Sequence, residues 1–121
     1  MTTVPHVDLA AALARSEPGA DGAVWSIETG DLDANLVRLG PGGAVSTHRN
    51  DEVDVLVVGI DGAGTLTVDD TDVTVARDVL ACIPRGTTRA IRAHDDGLAY
   101  VTVHRRRAGL TIRGSAGTAR R

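Results

Sequence analysis

The feature that most constrains this 121-residue chain is its punctuation. Short runs rich in Val, Ile, Leu and Thr follow one another at 24–28, 32–39, 44–48, 53–58, 64–68, 73–76, 79–83, 87–91, 98–104 and 110–113. Between them stand turn formers such as Thr29-Gly30-Asp31, Pro41-Gly42-Gly43, Asp61-Gly62, Asp69-Asp70 and Asp95-Asp96-Gly97. Branched side chains fit a pleated surface, and Gly and Asp accept the backbone angles of tight returns. Ten such runs without a second helical pattern predict an all-β fold, an antiparallel sandwich or barrel.

One helix precedes them. Asp8 stands before Leu9-Ala10-Ala11-Ala12-Leu13-Ala14-Arg15 as an N-cap, and Pro18-Gly19 and Asp21-Gly22 close the segment. This gives a lead-in with a short helix over 1–22, a β domain over 23–113 and a flexible tail over 114–121. The length suits a single core, and no internal repeat suggests a second domain.

Composition narrows the partners. The formal charge is −3, and all thirteen Lys-plus-Arg positions are arginine. Nothing here favours nucleic acid, and the Arg105-Arg106-Arg107 run reads as a solvated strand end. Cys82 is the single cysteine, so no intrachain disulfide forms; inside the apolar run 79–83 it reads as a small core residue. No basic, then apolar, leader opens the chain, and no apolar stretch approaches the roughly 20 residues of a membrane span. The expectation is a cytoplasmic protein that does not engage a membrane.

Two spaced patterns carry the chemistry. The first is Gly42-x5-His48-x-Asn50-x3-Asp54 and the second Asp78-x5-Pro84-x-Gly86-x2-Arg89. This frame resembles the two motifs of the cupin superfamily, Gly-x5-His-x-His-x(3–4)-Glu-x6-Gly and Gly-x5-Pro-x-Gly-x2-His-x3-Asn, which bracket a metal pocket. The resemblance spans about 32–104 and implies a jelly-roll (cupin) β-barrel behind a short N-terminal helix. It also implies pairing into a homodimer. The ligands have largely changed: only His48 keeps a metal-binding imidazole at a motif position.

Alternation along a strand turns His48 and Asn50 to one face, which is how a His-x-His pair converges on a metal. An amide oxygen at Asn50 suits a hard cation or a hydrogen-bonded substrate better than zinc or iron. The family's glutamate falls on Asp54 when counted from Asn50, and on Val55 when counted back from Gly62. A one-residue slip reverses the face, so the choice decides between a carboxylate and a methyl group in the pocket. Asp54 is preferred because the apolar run 53–58 should be buried on both faces, and a lone carboxylate inside it needs a partner. Glu52 is a weaker candidate at the mouth.

Arg89 replaces the second motif's histidine. A guanidinium has no lone pair to donate and stays protonated. Facing a unit charge at 4 Å it contributes about 4 kcal/mol at an effective dielectric near 20, repulsive toward a cation. It can grip a carboxylate or phosphate in a fork. His104 shares a face with Tyr100 and Thr102 and could supply a further imidazole.

Three functions compete. In the first, a metal-free pocket of His48, Asn50, Asp54, Arg89 and His104 binds a small polar or anionic molecule, with His48 and Asp54 available for acid/base catalysis. In the second, His48, Asn50, Asp54 and His104 hold a divalent transition metal in an atypical metalloenzyme of dioxygenase or isomerase type. In the third, the barrel fills itself and acts as a non-catalytic dimeric module. The first is the favoured expectation; whether the protein is an enzyme is left open.

Overall fold

Asp8 does cap a helix. In the computed structural model, which describes residues 3–17 and 21–106, its carboxylate accepts the Ala11 N–H at 3.0 Å and opens α1 (Leu9–Arg15). Arg38 secures the other end, its Nη1 donating to the Leu13 carbonyl at 3.0 Å and to Ser16 Oγ at 2.7 Å. Orphan carbonyls of a last turn need such donors. The Pro18-Gly19 stop lies outside the described residues, as do the expected strand 110–113 and the tail 114–121.

Seven strands follow: β1 (Gly22–Glu28), β2 (Leu32–Leu39), β3 (Ala44–Arg49), β4 (Val55–Val68), β5 (Thr71–Ala76), β6 (Leu80–Ile83) and β7 (Thr88–Arg105). Every pairing is antiparallel. They make one curled sheet in the order β1-β2-β7-β4-β5, with β3 on β7 and β6 on β4.

Four of the expected runs merge into two long strands. The turn signals at Asp61-Gly62 and Asp96-Gly97 bend β4 and β7 without ending them, through register shifts at Gly59/Asp61 and Gly62/Gly64. Bulges of this kind bend a strand and re-aim its side chains. Gly62 and Gly97 sit at φ +71° and +80°, backbone that L side chains rarely adopt. At Gly59 a Cβ would drive into the carbonyl of Ala76.

The bends create two walls from the same two strands. One wall runs β1-β2-β7-β4-β6 through Val55–Gly59 and Leu98–Arg105; the other runs β5-β4-β7-β3 through Gly62–Val68 and Thr88–Ala93. Aliphatic side chains between them form the core, with Val57 and Val75 at 0 % exposure and Leu66 at 1 %.

Two packing expectations are corrected. Cys82 is exposed, because β6 alternates and its inward residue is Ile83. The run 53–58 is not buried on both faces: Leu56 is 41 % exposed. Registered pairs place Cys82, Leu56, Val103, Ala34 and Ile27 in one row across that face, and Leu80, Val58, Val101, Leu36 and Trp25 in the next. A continuous apolar run specifies two apolar faces; on the outer one Leu36 is buried, while Leu56, Leu80 and Cys82 stay exposed.

Candidate functional site

A cavity of about 130 Å³ opens between the two walls. Aliphatic side chains make most of its surface, among them Val37, Val45, Val55, Val57, Ile83 and Ile91. Its polar lining comes from His48, Arg89, Asn35, Tyr100, Thr102 and His104. Among the described residues that line it there is no carboxylate, and Arg89 carries its one fixed charge.

Arg89 is 7 % exposed and stands opposite His48 in the β3–β7 ladder. Its Nε–H donates to His48 Nε2 at 2.9 Å. The other ring nitrogen, Nδ1, lies 3.0 Å from the Ser46 carbonyl. An arginine N–H can only donate and a carbonyl can only accept. His48 is therefore the neutral tautomer with its proton on Nδ1, and it orients the guanidinium beside it.

The turn that presents Arg89 follows the second pattern closely. Gly86 takes φ +85° and Asp78 takes φ +70°. Asp78 thus holds the left-handed conformation where the resembled motif has glycine, one of the few side chains that tolerates it. Gly42, first in the other pattern, sits at φ +70°.

Asn50 and Asp54 do not join the cavity. Asn50 is 8 % exposed, but its side chain folds onto its own loop. Its Oδ1 accepts the Glu52 N–H at 2.8 Å, and its Nδ2 donates to the Val53 carbonyl at 3.2 Å. This local turn separates β3 from β4, so side-chain alternation does not carry from His48 to position 54. Val55 faces the cavity, and the preference for Asp54 is corrected. Asp54 is exposed; it accepts the Arg85 backbone N–H at 2.8 Å, while the Gly86 N–H donates to the Asn50 carbonyl at 2.7 Å. Both residues tie the loop of one motif to the turn of the other. Glu52 is exposed, and its carbonyl accepts from Arg105 Nη2 at 3.0 Å.

His104 lines the cavity, with Nδ1 2.9 Å from the Arg105 carbonyl. By the same donor logic the proton is on Nδ1 and Nε2 is its basic nitrogen. Across the ladder from it stands Asp33, a residue the sequence patterns did not single out. Arg106 Nε is 4.0 Å from Asp33 Oδ1, too long for a hydrogen bond, and that oxygen is buried without one. Only its register opposite His104 could have marked it.

The motif frame, the bent strands and the cavity between them already suggest an assignment. A family model, the cupin domain, matches residues 35–104, more than half of the chain. The chain belongs to the cupin family. No curated protein matches it, but several solved structures share the fold. A structure of TT1209 from Thermus thermophilus has a TM-score of 0.70 at 21 % identity, covering 83 % of this chain and 95 % of that one. NMB1881 from Neisseria meningitidis gives 0.70 at 17 %, covering 84 % and 100 %. A cupin-2 domain containing protein from Shewanella frigidimarina gives 0.67 at 14 %, covering 83 % and 94 %.

Among the described residues, the donors at this cupin's motif positions do not make a metal site. His48 Nε2 already accepts a hydrogen bond, and its Nδ1 carries a proton. Arg89 has no lone pair, Asn50 is spent on its turn and Val55 offers only methyl groups. Among the described residues no group of three or more His, Cys, Asp or Glu could hold an ion. Nor, among them, is any helix long and apolar enough to cross a membrane.

Proposed function

We propose that this cupin binds a small anionic or strongly polar molecule in the cavity without a metal, inside a jelly-roll barrel. The observation that carries the reading is the buried Arg89 guanidinium held by the neutral His48 on a cavity wall with no carboxylate among its described residues. A buried guanidinium on the wall of a cavity whose described lining holds no carboxylate is suited to an anionic ligand. A carboxylate or phosphate is the group a guanidinium grips in a fork. If the pocket also performs acid/base chemistry, His104 is the better base, because the lone pair of His48 Nε2 is committed to Arg89.

Thermal melts with and without millimolar acetate, formate or phosphate test this reading, paired with elemental analysis of protein purified without added metal. The expected result is stabilisation by at least one anion that is lost in Arg89→Ala, with no stoichiometric metal. Stoichiometric iron, nickel, manganese or zinc that disappears in His48→Ala would overturn it in favour of the metalloenzyme.

We also infer a homodimer formed through the outward apolar rows, where Leu80 is 65 % and Leu56 41 % exposed. Large contiguous apolar patches on soluble domains mark interaction sites.

A further inference from the structure

We propose that the ligand is a monocarboxylate carrying a compact apolar body of about six to eight heavy atoms in all. The inference rests on the anion-pocket reading and narrows it to one chemical class.

Charge sets the first limit. Arg89 is the one fixed charge among the described residues lining the cavity, which matches a single carboxylate. A second negative group on the ligand would find no second fixed positive charge among the described residues that line the cavity, so its lost hydration would be repaid less well.

Volume sets the second. A cavity of about 130 Å³ is slightly smaller than the roughly 150 Å³ apolar cavity known to take benzene. A phosphorylated sugar or a citrate-sized polyacid would not be enclosed by that space.

The wall sets the third. Val55 and Val57 on β4, Ile83 on β6 and Ile91 on β7 present methyl groups to the cavity. Val55 in particular stands where the resembled motif has a carboxylate, so this pocket has exchanged a polar contact for an apolar one. Ligand hydroxyls there would lose water without gaining a partner. Hydrocarbon placed there leaves water instead, and each buried methylene is worth about fourfold in affinity by its transfer free energy.

The test is a homologous series. Dissociation constants for acetate, propionate, butyrate, valerate and octanoate are measured by calorimetry on the full chain, with succinate, inorganic phosphate and the neutral butyramide as controls. We expect affinity to rise about fourfold per methylene from acetate to butyrate or valerate, then to fall at octanoate when the cavity is full. Succinate, phosphate and butyramide should each bind at least tenfold more weakly than butyrate. In Val55→Thr, nearly isosteric and checked for folding by circular dichroism, the slope of the series should flatten. Equal affinity along the series, with Arg89→Ala still abolishing binding, overturns the apolar-body assignment and leaves the anion pocket standing. Tighter binding of succinate or phosphate than butyrate does the same. No detectable binding of any carboxylate overturns both.

Discussion

At residue scale the centre of this site is a hydrogen bond between side chains at two positions that family members of the usual kind fill with metal ligands. Arg89 Nε–H to His48 Nε2 leaves the imidazole in one tautomer. Nitrogen-15 shifts of His48 should accordingly show a protonated Nδ1 and an unprotonated Nε2 at neutral pH. The reverse pattern would mean that the guanidinium is not held as described. A hydrogen bond to a charged partner contributes about 1.5–3 kcal/mol. His48→Ala should therefore lower stability by about that amount and weaken carboxylate binding roughly tenfold through a mobile Arg89, whereas His48→Gln, whose amide oxygen can accept the same N–H, should recover part of both. Arg89→Lys keeps the charge but loses the forked geometry, so calorimetry should find anion binding weakened yet detectable. The sequence disclosed Arg89 and His48 because their positions follow local rules: Pro84 fixes one backbone angle, Gly86 accepts a positive φ, and β3 aligns His48 with its partner. It did not disclose which of positions 54 and 55 faces inward. That choice depends on the Asn50 side chain folding back on residues 52 and 53, an event that breaks the period-two count.

At the scale of elements, the same turn explains why polar residues stand in the first motif without serving as ligands. Asn50 closes the loop between β3 and β4, and Asp54 holds the Arg85 N–H of the turn that delivers Arg89. Asp54→Ala should cost about 1–2 kcal/mol of stability, the worth of one hydrogen bond to a charged acceptor at an exposed site, and leave carboxylate affinity within about twofold. A loss of binding as large as that of Arg89→Ala, at unchanged stability, would return Asp54 to the pocket. The bends in β4 and β7 were legible only as interruptions. Asp61-Gly62 and Asp95-Asp96-Gly97 look like hairpin turns in one dimension. Whether such a glycine ends a strand or kinks it depends on what approaches its backbone, and here the Ala76 carbonyl lies where a side chain on Gly59 would go. Gly59→Ala should unfold the domain or lower its melting temperature by many degrees; a melt like that of the wild type would show that β5 is free to move away.

At the scale of the whole molecule, the outward face sets the remaining problem. β4 reads Val55-Leu56-Val57-Val58 without alternation, and such runs belong to strands covered on both sides. One side is covered by the facing wall. The other carries two rows of apolar residues across five strands, roughly 20 Å wide at about 4.8 Å per strand, buried at Leu36 and open at Leu56, Leu80 and Cys82. A stable protein interface takes about 800 Å² from each partner, so the rows can only be the centre of such a contact. The inference of a homodimer places Cys82, on the outermost strand β6, at one end of those rows, which makes the thiol a reporter of that end of the contact. Sedimentation should give a mass of two chains at micromolar concentration, and Leu56→Glu or Leu80→Glu should shift it to one chain while the melt of the monomer stays cooperative. Cys82 should react slowly with a thiol reagent in the dimer and faster in either variant or on dilution. A wild-type protein that sediments as one chain, with Cys82 equally reactive at every concentration, would leave the face bare and remove the dimer. Carboxylate binding offers an independent check, because the cavity lies on the inner side of the same wall. Dispersing the dimer should leave butyrate affinity nearly unchanged if the wall is rigid without its partner, and weaken it if Val55 and Val57 hold their places only when Leu56 and Val58 are packed from outside.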